Sequence, residues 1–132
     1  MIGEHQHKQH EVLIVSKPNR FSEGLRAVVK AMPEVKAVYY TEDGHSVQER
    51  WGEAALEIAL LDIDLTLPKL RMILRQLRLS YPNMKSIVLV ENEHQKVSVL
   101  AAGADATLMK GFDSEHLAQV IHHLMTQKTT TV

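Results

Sequence analysis

The sequence predicts an α/β fold: a doubly wound, five-stranded parallel sheet flanked by about five helices. Five short apolar runs, at 11–15, 37–40, 57–61, 86–90 and 106–109, alternate with segments whose apolar residues recur at spacings of three and four. Short runs without polar alternation suit strands covered on both faces. Parallel neighbours need right-handed crossover connections, and the helical segments supply them.

Each element has its own justification. Val12-Leu-Ile-Val15 forms the first strand, and Phe21, Leu25, Val28, Val29 and Met32 mark one face of the first helix, with Ser22 as a candidate cap. The second strand ends before Asp43-Gly44, a turn signal. Residues 44–55 carry the weakest helical pattern, and Trp51 is expected there as a partly buried residue. Glu57-Ile-Ala-Leu-Leu61 is the third strand and delivers Asp62 to its carboxyl end. Leu70, Ile73, Leu74 and Leu77 define the third helix; Val97, Leu100 and Ala101 the fourth; Leu117, Val120, Ile121 and Leu124 the fifth, with Ser114 as its candidate cap. Residues 1–10 and 128–132 have no amphipathic period. They are read as a flexible N-terminal segment and as a tail or the start of a linker, around a domain at 11–127.

Bulk composition narrows the function. A chain of 132 residues with 45% hydrophobic content suits one domain with one core. A net charge of -1 and a pI near 6.7 give no broad attraction to nucleic acid or to anionic lipid, so no direct nucleic-acid or membrane partner is expected. With no cysteine, disulfides, thiolate metal sites and cysteine nucleophiles are excluded. The N-terminus lacks the apolar core of a signal peptide, and the reading is a cytoplasmic domain.

Asp62 stands where α/β folds do their chemistry, at the carboxyl edge of the sheet. Around it the chain resembles the receiver domain of bacterial response regulators, in particular receivers fused to a helix-turn-helix output domain. The resemblance covers about 11–127 and rests on Val12-Leu-Ile-Val, Arg20-Phe-Ser-Glu-Gly-Leu-Arg26, Leu60-Leu-Asp-Ile-Asp-Leu65, Ile87-Val-Leu-Val90 and Ala102-Gly-Ala-Asp-Ala-Thr-Leu-Met-Lys110. It implies a flavodoxin-like receiver fold, with Asp62 at the phosphoacceptor position and Lys110 as the lysine that pairs with phosphoryl oxygens. It also implies departures. The family's metal-holding acidic pair falls on Ser16 and Lys17, its switch hydroxyl on Val90 and its switch aromatic on Thr107. Gly111 follows the lysine where proline is usual, and Thr66 takes the place of the proline that follows the aspartate by four.

These departures matter because phosphoryl transfer to a carboxylate depends on a hard cation held by oxygen ligands. Only Asp62 and the backbone carbonyl of Asp64 remain as candidate donors. A Lys17 ammonium in that pocket would repel Mg²⁺ and neutralise Asp62 directly. Val90 cannot follow a phosphoryl group with a hydrogen bond, and Thr107 has no ring to rotate, so the bistable element of such a switch is missing. The leading expectation is a pseudo-receiver: a phosphorylation-independent regulatory or interaction module of a signalling or transcription-regulatory protein, without catalytic activity and without a cofactor. The alternative is a phosphate-accepting receiver that uses Asp62 and Mg²⁺ in two-component signalling. As in the family, a homodimer is expected through the fourth helix, fifth strand and fifth helix, over 94–102 and 106–127, with Val97, Leu100 and Leu117 as apolar contributors among Lys96, Asp105 and Glu115. An output domain or partner protein is the other expected contact.

Other residues invite weaker readings. His5, His7 and His10 could ligate a metal but sit in a polar end without a rigid second shell. His122 and His123 suit the carboxyl end of the last helix dipole. Gly103 and Gly111 form no phosphate loop, and no nucleophile elbow or Walker motif is present.

Overall fold

The computed structural model describes residues 9–44, 47–62 and 66–126. The elements alternate along the chain as β1 (His10–Val15), α1 (Arg20–Ala31), β2 (Val35–Thr41), α2 (Val47–Trp51), β3 (Leu56–Asp62), α3 (Leu67–Ser80), β4 (Lys85–Val90), α4 (Glu93–Ala101), β5 (Ala106–Met109) and α5 (Ser114–Thr126). All five strands are parallel, in the order β2-β1-β3-β4-β5. The doubly wound sheet expected from the apolar runs is therefore present.

Strand parity splits the core into two layers. Leu13, Val15, Ala59, Leu61, Val88 and Val90 pack against Val47, Leu70, Ile73, Leu74, Leu77 and Val99, which come from α2, α3 and α4. Val12, Ile14, Ile58, Leu60, Ile87 and Leu89 pack against Leu25, Val29, Leu117, Ile121 and Leu124 from α1 and α5. Each fully buried aliphatic side chain contributes about 1.5–3 kcal/mol, which is why these helices stay on the sheet. Leu117 belongs to this core and is fully buried, so it is not available to an α4–β5–α5 interface.

Local chemistry corrects the expected caps. Asn19, not Ser22, caps α1: its side chain accepts from the Ser22 amide at 2.8 Å, and the Ser22 hydroxyl accepts from the Asn19 amide at 3.0 Å, a reciprocal capping box. At α5 the side chain of Asp113 accepts from the His116 amide at 2.8 Å, one residue before the expected Ser114. α2 is only five residues long, shorter than the weak pattern over 44–55, because Val47 alone of its residues is buried. Gly44 turns with φ +77, and a side chain there would meet Ile73 Cγ2 at 3.1 Å, so the Asp43-Gly44 turn needs glycine for both conformation and space.

Candidate functional site

The carboxyl edge of the sheet gathers residues far apart in the chain. In the ladder Val15 lies opposite Leu61, Asp62 opposite Leu89, and Val90 opposite Met109. The residues that end β1, β3, β4 and β5 therefore meet at one level. Lys110 is held there by its own backbone, whose amide donates to the Val90 carbonyl at 2.8 Å.

Asp62 is 1% exposed. Its Oδ1 lies 2.8 Å from Lys110 Nζ, and its Oδ2 accepts from the Ser16 hydroxyl at 3.3 Å. A buried carboxylate carries a large desolvation cost unless it is paired and hydrogen-bonded, and here both oxygens have partners. Lys110, with 18% of its side chain exposed, also stands 3.9 Å from Glu91 and 4.8 Å above the centroid of the Phe21 ring. Tyr40 closes the β2 side: its hydroxyl donates to the Ser16 carbonyl at 2.7 Å, and the Arg26 guanidinium stacks 4.3 Å over its ring.

Lys17 was expected to project into this pocket and neutralise Asp62. It is exposed, and the neighbouring Ser16 is the buried residue that reaches the carboxylate. Strand parity explains the outcome. Ser16 continues the row of Val12 and Ile14, while Asp62 continues that of Ile58 and Leu60, so both lie on the α1–α5 side of the sheet. The charge that balances Asp62 comes from Lys110.

Val90 is fully buried in the α2–α3–α4 layer, and Thr107 is half-buried on β5 opposite Val88. Asp64 lies outside the described residues, as do His5 and His7. His10 is not part of a flexible end. It opens β1 at the opposite, amino edge of the sheet, is 5% exposed, and its Nδ1 sits 3.0 Å from Glu57 Oε1. His122 and His123 are exposed on α5. Trp51 is partly buried, edge-on to Tyr39 with ring centroids 5.5 Å apart. Gly103 and Gly111 both adopt positive φ. Phe21, Tyr40 and Glu91 are site residues that sequence reasoning did not single out. Phe21 entered only as one member of a helical stripe, and no spacing signal ties Tyr40 or Glu91 to the pocket.

Whether this pocket suits Mg²⁺ turns on its donors. A small hard cation wants several oxygen ligands in near-octahedral array. Among the described residues Asp62 is the one carboxylate at the base of the pocket, with its two oxygens engaged by an ammonium and a hydroxyl. Among the described residues no three His, Cys, Asp or Glu side chains group to hold an ion. The described residues alone therefore supply fewer oxygen donors than such a cation takes.

Comparison with known proteins bears on the fold first. A response regulator from Thermotoga maritima superposes with a TM-score of 0.73 at 14% identity, covering 90% of this chain and 99% of that one. A response regulator from Chloroflexus aurantiacus J-10-fl gives 0.73 at 19%, covering 91% and 100%. The chain has the receiver fold. The chemotaxis response regulator CheY4 of Vibrio cholerae agrees, with a TM-score of 0.66 at 18% identity over 89% of this chain and 99% of that one. No family model matches the chain. In sequence it is 28% identical over 115 residues to the transcriptional regulatory protein DegU of Brevibacillus brevis, covering 84% of this chain and 48% of DegU. The chain thus spans about half the length of that relative. Among the described residues no helix is long and apolar enough to cross a membrane.

Proposed function

We propose that this chain is a receiver-like regulatory module, cytoplasmic and without catalytic activity, that signals through protein contacts rather than through metal-assisted phosphorylation. The observation that carries the reading is the Asp62 pocket. Its carboxylate is balanced by Lys110 and hydrogen-bonded by Ser16, where a phosphoacceptor would need oxygen ligands for a cation. Val90, buried and without a hydroxyl, has nothing with which to follow a phosphoryl group. Thr107 likewise offers no rotating ring. The pocket works as a fixed structural tie between β1, β3 and the end of β5.

A second reading rests on the same pair. Asp62 and Lys110 are the two side chains that a phosphate-accepting receiver uses directly, and their 2.8 Å contact supports a two-component phosphoacceptor as the alternative. The half-length match to a transcriptional regulator supports an output domain or partner protein as the recipient of the signal.

Without a switch, assembly should be constitutive. Val97, Leu100 and Met109 are 68%, 42% and 43% exposed on the face of α4 and β5, and they support a homodimer through α4, β5 and α5. Met109 takes the place that Leu117, buried in the core, leaves open. Sedimentation over a concentration series, with and without acetyl phosphate and Mg²⁺, tests both halves of the reading. A dimer that depends on protein concentration alone, with no phosphate on Asp62 by intact mass, is expected. Phosphate on Asp62 with a shift in assembly would establish the alternative instead.

A further inference from the structure

α3 carries a charge pattern that its own stability does not explain. Within Leu67–Ser80 are Lys69, Arg71, Arg75 and Arg78 and no acidic residue. These are four of the chain's 15 basic residues, leaving 11 against 16 acidic ones, a formal charge of -5 for the remainder. The first turn of every other helix holds an acidic residue, Glu23, Glu49, Glu93 or Glu115, as the positive end of a helix dipole favours. α3 has none there, and its first-turn cation Lys69 opposes the dipole. Arg71 and Arg75 repeat a like charge one turn apart, an arrangement that costs about 0.2–0.5 kcal/mol in a helix.

At about 100° per residue, Arg71, Arg75 and Arg78 fall within a sector of roughly 60° on the exposed side of α3. Beside that stripe runs an apolar one, Met72 and Leu79, 48% and 75% exposed. Arg78 is tied to the β5 end through the Gly103 carbonyl at 3.0 Å and Asp105 at 3.6 Å. Arg71 and Arg75 have no ion pair among the described residues. The helix cannot turn this face inward, because Leu70, Ile73, Leu74 and Leu77 anchor the other one in the core.

We propose that this face of α3 docks an acidic amphipathic helix of a partner protein, its carboxylates spaced to meet Arg71 and Arg75 and its apolar side chains covering Met72 and Leu79. Paired arginine and apolar stripes match such a helix in both charge and hydrophobicity. Nucleic acid is a poorer occupant, since the remainder of the surface is acidic and no aromatic side chain stands on the face to stack a base. An anionic membrane is poorer too, since α3 exposes only Leu67, Met72 and Leu79 as large apolar side chains and Leu67 stands apart from the other two. The inference is independent of the Asp62 pocket and of dimerisation.

The test uses the whole chain and a labelled synthetic helix with Glu and Leu repeating at one-turn spacing, against the same helix with Lys for Glu, duplex DNA and phosphatidylglycerol vesicles. The acidic helix alone is expected to bind saturably, to shift the amides of 71–79, and to weaken as salt rises. R71E/R75E should reduce its affinity at least tenfold, and M72A/L79A severalfold. R71E/R75E should keep an unchanged or higher melting temperature, which separates lost docking from lost folding. Failure of the acidic helix to saturate, insensitivity to R71E/R75E, shifts confined to another surface, or tighter binding of DNA or vesicles would each overturn the proposal.

Discussion

β5 is four residues long, lies at the edge of the sheet, and is tied down at both ends by charged side chains. Before it, Asp105 accepts from the Ser86 amide at 2.8 Å and faces Arg78 at 3.6 Å, with side chains 24% and 57% exposed. After it, Lys110 meets Asp62 at 2.8 Å, with side chains 18% and 1% exposed. The first tie is largely a hydrogen bond to backbone with a solvated arginine alongside. The second is a buried charge pair. Water screens one and not the other, so the two ends teach different lessons about what an ion pair does: the outer one positions a loop, while the inner one must stay intact or leave a charge stranded.

The comparison breaks most visibly at Lys110. Lys110→Met leaves Asp62 buried without its cation, and urea unfolding should show a loss of about 3–5 kcal/mol. Asp62→Asn should cost less, because Lys110 keeps access to solvent and stands near Glu91. The double variant should recover part of the loss, giving a coupling well above that of an exposed pair. Purely additive costs would mean that the pair contributes nothing as a pair.

At the other end the order of effects is the useful prediction. Asp105→Ala removes the acceptor for the Ser86 amide and hydroxyl and should cost about 1–3 kcal/mol, whereas Arg78→Ala should cost about 0–1 kcal/mol. Equal losses would show the arginine, not the backbone hydrogen bond, to be the tie.

The smallest effects separate two adjacent residues. Ser16→Ala removes a buried hydrogen bond to Asp62 and should cost about 0.5–1.5 kcal/mol. Lys17→Met should stay within about 0.5 kcal/mol and be additive with Asp62→Asn, as expected of an exposed position. Coupling between Lys17 and Asp62 would return the lysine to the pocket.

Much of this was legible before any coordinates. Buried parallel strands are short, apolar and bounded by helical periods, so Val12 to Val15 or Ile87 to Val90 are read from the sequence with little error. Position at a strand end also placed Asp62 at the functional edge. What misled was direction. Parity along β1 puts Ser16, not Lys17, on the side of Asp62, and that parity is set by how two strands register, which no local pattern displays. Leu117 stands both in the apolar stripe of the fifth helix and among interface contributors some of which have to face the core, and packing places it in the core with Ile121 and Leu124. The caps at Asn19 and Asp113 follow ordinary Asx preferences and were within reach of the sequence. Phe21 beneath Lys110 and Tyr40 on the Ser16 carbonyl were not, since both depend on three-dimensional neighbours alone.

The claim that the Asp62 pocket is a fixed tie rather than a phosphoryl switch is tested most directly by titrating the protein with beryllofluoride and Mg²⁺ while following amide chemical shifts. With the Asp62 carboxylate engaged by Lys110 and Ser16, the pocket is expected to give no saturable change at millimolar ligand. Saturable shifts centred on Asp62, Val90 and Lys110 would contradict the account and establish a phosphate-accepting receiver.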